Sequence, residues 1–147
     1  MNKREKGVAL VEFALILPLL LLLSITAAEF GRAIWEYNTL TKSVRDAARY
    51  LSIQTPGATA EIDRARNLMV FGNISGTGRP LALGLTLANV PAASCCTWQT
   101  AGTAPVINTV TVRIQNYAFK SMFASVFGLP FGTITFSNIS ATMRSYL

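Results

Sequence analysis

A chain of 147 residues has room for one modest domain and an appendage. Hydrophobic residues make up 51% and charged residues only 14%, with a mean hydropathy of +0.40. That excludes an ordinary soluble domain, in which about a quarter of residues are charged. The net charge of +6 is scattered, apart from Lys3-Arg4-Glu5-Lys6 beside an apolar run, and basic residues in that position speak for membrane topology rather than for nucleic acid. Histidine is absent, the two cysteines are adjacent, and the last acidic residue is Asp63. His-based and zinc chemistry are therefore excluded. Glu61 and Asp63, at i and i+2, point to different faces and make no general acid–base pair. The chain reads as a non-enzyme with no cofactor, no metal and no small-molecule substrate.

Residues 1–7 form a short basic leader. Val8 to Ala28 follows as VALVEFALILPLLLLLSITAA, 21 residues with one charge, Glu12. At about 1.5 Å per residue the run is roughly 31 Å of helix, the thickness of a bilayer core. Its 13 Leu, Ile, Val and Phe residues favour insertion by roughly 4–8 kcal/mol, against about 2.5–3.5 kcal/mol for an acid at mid-membrane. Pro18 removes a backbone donor and is expected to kink the helix. Glu12 is costly in such surroundings without a cationic partner, which marks it as a functional candidate; the simpler reading is that it snorkels to the interface one turn away. Lys3, Arg4 and Lys6 hold the N-terminus in the cytoplasm and send the rest outward. A charged start, an apolar core and the small residues Ser24–Ala28 also fit a secretory signal peptide cut after Ala28, releasing a soluble protein. An uncut single-span protein with an outer binding domain is a third possibility.

Helical periodicity continues from Ala27 to about Ser52. Phe30, Ile34, Tyr37, Thr41, Val44, Ala48 and Leu51 recur at steps of three and four as the expected packed face of an outer extension, residues 29–53. Unless broken near Gly31, a rod from Val8 to Leu51 is roughly 66 Å long. Thr55-Pro56-Gly57 ends it and opens a small domain at 54–147. Thr59 is placed to cap a second helix, Ala60 to Phe71, with Glu61 and Asp63 in its first turn and Gly72 closing it. Asn73–Pro80 is loop. The period then drops to two over Leu81–Val90, Val106–Ile114 and Thr133–Thr142, with Val110, Val112, Ile114, Ile134 and Phe136 facing inward. Phe119, Met122, Phe123, Val126, Phe127 and Leu129 read as a core helix or an exposed contact surface. The expected fold is α+β: a long N-terminal transmembrane helix continuing into a small outer domain with a second helix and an antiparallel sheet of about three strands. Cys95 and Cys96 fall in a loop-like stretch; adjacent cysteines close only a strained ring, leaving intermolecular pairing or free thiols open.

Gly7-Val8-Ala9-Leu10-Val11-Glu12-Phe13 resembles a type IV prepilin processing site, with a basic leader ending in Gly and Glu at the fifth residue after it. The longer string Gly7–Arg32, GVALVEFALILPLLLLLSITAAEFGR, resembles the TadE-like minor pilins of the tight-adherence (Flp) pilus. Arg45–Tyr50, Ala65–Gly72 and Ile134–Arg144 continue the likeness in order, whereas the cysteine pair takes no part in it. The resemblance implies cleavage between Gly7 and Val8 by a prepilin peptidase. It further implies assembly through Glu12, beside Phe13, pairing with the freed amine of a neighbour's Val8. Implied partners are the peptidase, other Tad pilins and minor pilins, and inner-membrane lipid. The implied setting is a bacterial inner membrane, with the C-terminal part periplasmic and incorporated in a surface-adherence pilus. The bulk pilins of that system are much shorter, so a domain of this size implies a minor subunit.

Overall fold

The computed structural model describes the backbone of residues 3–123, 125–126, 129–130 and 133–146, with side chains from residue 7 onward except at 126, 129 and 130. Helix α1 spans Lys3–Leu51, 49 residues, and so takes in most of the leader as well as the apolar run. Pro18 lies inside it, and Gly31 does not interrupt it. Helix α2 (Thr59–Phe71) and a single turn α3 (Ala92–Cys95) follow, with strands β1 (Cys96–Ala101), β2 (Ile107–Ile114), β3 (Ala118–Phe119), β4 (Ser125–Val126), β5 (Leu129–Pro130), β6 (Ile134–Thr135) and β7 (Ile139–Arg144). The chain divides into two compact units: residues 1–34 with 121–132, and residues 35–120 with 133–147.

The second unit is the α+β part. Its main sheet is antiparallel, ordered β1-β2-β7. Val110, Val112 and Ile114 of β2 point into the core as the alternation predicts, and in β7 they face Met143, Ala141 and Ile139. Leu40, Val44, Ala47, Ala48 and Leu51 of α1 and Ala65, Met69 and Val70 of α2 belong to the same core. Gly72 ends α2 in the left-handed conformation at φ 74°, its N–H bonding the Leu68 carbonyl, the arrangement that favours glycine at that position. Thr59 does not cap α2: it is the first helical residue, Ala58 holds the cap position, and only Glu61 lies in the first turn. Asp63 instead pairs with Arg66 at 2.7 Å, and Arg66 bonds the Val90 carbonyl at 2.6 Å.

Three expectations about the sheet are corrected. Leu81–Val90 is not a strand. Gly84 sits at φ +83° with no room for a Cβ beside Lys120, and Thr86 and Asn89 cap a 3-10 turn at Leu87–Asn89. Ala82, Leu85 and Val90 are buried as anchors of a turn-rich segment rather than as one strand face. The third strand is β1, which lacks the alternation of a half-buried strand because its burial fades from Cys96 toward Ala101. In the last segment the inward residues are Ile139, Ala141 and Met143; Ile134 is exposed and pairs with Phe119 of β3, and the chain breaks from pairing between β6 and β7. Phe136 does lie against the core, its ring 5.4 Å from that of Tyr37 and 5.8 Å from that of Tyr117. The apolar stretch from Phe119 is not a core helix among the described residues: Phe119 is buried in β3, whereas Met122 and Phe123 are exposed. The side chains of Val126, Phe127 and Leu129 lie outside the described residues.

Cys95 and Cys96 are joined to each other. Cys95 ends a helical turn and Cys96 begins a strand. That change of backbone lets neighbouring side chains meet, where a uniform strand would send them to opposite faces.

At the end of α1 the Tyr50 hydroxyl donates to Glu61, tying α1 to α2. Burial, then the hydrogen bond to Glu61, hold the Tyr50 phenol above its ordinary pKa. A raised folded value means that the stabilisation is complete below the unfolded phenol's pKa of about 10 and fades as pH climbs through the folded value. Tyr50→Phe should cost about 1–1.5 kcal/mol at neutral pH and flatten the alkaline limb of stability. Urea unfolding of the full chain in detergent, repeated from neutral to strongly alkaline pH, checks both effects.

Candidate membrane and assembly segment

The N-terminal half of α1 consists of side chains with nothing of this chain packed over them. From Val8 through Leu21 every side chain is exposed, and this helix is long and apolar enough to cross a membrane. The polar side chains near the end of the run are satisfied within the helix: Ser24 bonds the Leu20 carbonyl and Thr26 the Leu22 carbonyl, each at 2.8 Å. A hydroxyl bonded in this way carries no open hydrogen-bonding demand into hydrocarbon.

Gly7, Val8, Val11, Glu12 and Leu15 line one side of the helix, as their spacing of three and four requires. Val8 and Glu12 are therefore neighbours one turn apart. The carboxylate of Glu12 is exposed, and among the described residues it has neither an ion pair nor a hydrogen bond. Phe13 is exposed beside it. A Cβ at Gly7 would meet nothing within 4 Å. Glycine inside a helix costs about 1 kcal/mol relative to alanine, so the folded chain itself supplies no reason for glycine there.

Further along α1 the buried stripe differs from the expected one. Phe30 (62% exposed), Ile34 and Tyr37 face outward, while Glu29, Ala33, Glu36, Leu40, Ser43, Val44, Ala47 and Leu51 are buried. Apolar residues occupy both sides of the helix between Phe30 and Tyr37, so periodicity alone selects the wrong side. The selected side contains two carboxylates, and partners far away in sequence make their burial tolerable. The Tyr117 hydroxyl lies 2.9 Å from Glu36 Oε2 and 3.1 Å from the Leu83 carbonyl. Glu29 Oε2 accepts from Arg32 Nη2 at 3.1 Å and from the Met122 N–H at 3.3 Å. The Glu29–Arg32 spacing of three was available as a signal; Tyr117 and Met122 were not. Among the described residues no cluster of His, Cys, Asp and Glu could hold a metal ion.

If the apolar run supplies a net few kcal/mol of insertion energy, two arginines placed in its middle, at about 2.5–3.5 kcal/mol each, should cancel it. The double variant Leu19→Arg/Leu20→Arg should therefore be released from membranes by alkaline carbonate, while the unaltered chain stays in the pellet.

The family described as TadE-like protein matches residues 7–49. No curated protein and no solved structure matches the chain. The match begins at Gly7, takes in Glu12 and Pro18, and ends two residues before α1 does. By its residues 7–49 the chain is TadE-like, a membrane-anchored protein of pilin-like type.

Proposed function

We propose that this chain is a minor pilin, or pseudopilin, of a tight-adherence pilus. A prepilin peptidase cuts between Gly7 and Val8, removing the 1–7 leader. The mature chain spans the bacterial inner membrane over residues 8–28, its N-terminus on the cytoplasmic side, and carries the rest of the chain on the outer side. Assembly with other pilins then pairs the new Val8 amine of one subunit with Glu12 of its neighbour and packs the apolar faces of their helices, Phe13 included. The assembled pilus serves surface adherence.

The observation that carries this reading is Glu12: an exposed carboxylate, unpartnered among the described residues, in the middle of an exposed apolar surface. A lone charge is costly in lipid, and a second charge of opposite sign brought by a neighbouring subunit offsets the cost. Gly7 supports the first step, because glycine is unexplained by the packing of the chain and a peptidase cleft that accepts only a small residue supplies the reason. Pro18 leaves one backbone acceptor of the helix without its donor, and the kink expected there lets a helix adjust as it packs among others. Release by signal peptidase after Ala28 fits less well, since α1 runs helically through that position to Leu51.

The mass and N-terminal sequence of native protein separate the possibilities. A start at Val8 is expected, whereas Met1 would indicate an uncut anchor and Glu29 a secreted product. Gly7→Asp should leave the leader attached, read as the larger form on a gel; normal maturation of that variant would defeat the peptidase step. Glu12→Ala should be cut and inserted normally yet fail to assemble, seen as loss of surface pili, and wild-type piliation would remove the charge pair as the assembly device.

A further inference from the structure

Residues 121–132 read SMFASVFGLPFG, twelve residues with three phenylalanines and no charge. They belong to the same compact unit as residues 1–34. Their point of attachment is specific: the Met122 N–H donates to Glu29 Oε2 at 3.3 Å, and Arg32 donates to the same oxygen at 3.1 Å. Glu29 is the first residue after the apolar run of Val8–Ala28, so the clasp sits at the level where the span ends.

Past the clasp the backbone looks after itself. The Ser121 hydroxyl bonds the Phe123 carbonyl at 2.9 Å and accepts the Phe123 N–H at 3.1 Å. Strands β4 and β5 pair with each other, Ser125 with Pro130 and Val126 with Leu129. The side chains, by contrast, are turned out: Met122 is 71% exposed and Phe123 45%. Self-paired backbone under exposed Met and Phe side chains, without charge, is the composition that lies in a membrane interface.

We propose that the 121–132 hairpin is a second membrane contact, dipping into the outer-leaflet interface beside the helix that anchors the chain. Two features select lipid over a protein partner. The segment offers no charge with which a protein surface could set register, and its attachment point, Glu29, is continuous with the membrane-spanning run. The Glu29–Arg32 pair is the polar collar between the two apolar elements. The hairpin fixes the depth of the chain at the surface, which a lone helix able to slide along the bilayer normal leaves open.

This inference rests on the membrane-anchor reading, and one experiment distinguishes the failure of either. Benzoylphenylalanine is placed singly at Met122, Phe123, Leu20 or Thr100 of the full chain, in phosphatidylethanolamine–phosphatidylglycerol vesicles, and the adducts formed on illumination are identified by mass. Lipid adducts at Met122 and Phe123 as well as at Leu20, and none at the exposed Thr100, are expected. Lipid adducts at Leu20 alone overturn the hairpin contact and leave the anchor standing. Adducts from Phe123 to a second copy of the chain, with none to lipid, overturn it in favour of a subunit interface. Lipid adducts equal at Thr100 and Phe123 overturn it as non-specific. No lipid adduct at Leu20 removes the anchor itself and the hairpin proposal with it.

Discussion

A single helix, α1, has to suit two surroundings along its length, and the rest of the structure follows from how it does so. Toward its N-terminus the helix is apolar on every side and exposed on every side, which is stable only where the surroundings are themselves apolar. Toward its C-terminus one stripe is packed under α2 and the β1-β2-β7 sheet, with Leu40, Val44, Ala47 and Leu51 at or near zero exposure. Between these stretches lie Glu29 and Glu36, both buried and both hydrogen-bonded. An unpaired charge in such a place costs several kcal/mol, whereas a partnered one also dictates which group must sit opposite. Tyr117, 81 positions from Glu36 in the chain, is held in that way.

Legibility tracked how local the determining interaction is. The span was readable because 13 apolar side chains in 21 residues are a property of composition. Helix α2 and its Gly72 stop were readable because left-handed backbone at a helix end favours glycine. Strand β2 was readable because one of its faces is buried and the other is partly solvated, which writes alternation into the sequence. Strand β1 was not, since it is buried at one end only and carries no period. The Leu81–Val90 turns were misread as a strand because buried anchors can imitate alternation; the φ of Gly84 and the Thr86–Asn89 cap are what decide against it.

The assembly segment divides in the same manner. Gly7, Val8, Glu12 and Phe13 stand out in the sequence by spacing and by cost, and the structure adds that Gly7, Val8 and Glu12 share one side of the helix and that all four are exposed. The buried face beyond them was not legible. Phe30, Ile34 and Tyr37 look like core residues by type and period, and the true stripe contains carboxylates that only distant partners make acceptable. The cysteine pair was illegible for a related reason: whether neighbours can join depends on a change of backbone between them that neither residue specifies.

The core contribution of α1 has a practical side. Residues 40–51 fill the space between α2 and the sheet, so the segment after Thr55 has no closed hydrophobic interior of its own. A fragment cut at the Thr55-Pro56-Gly57 turn, the natural place to divide the chain by eye, would expose Met69, Val70, Val110 and Val112 to water and tend to aggregate. A water-soluble form for spectroscopy or crystals has to begin upstream, near Trp35, where the second compact unit begins.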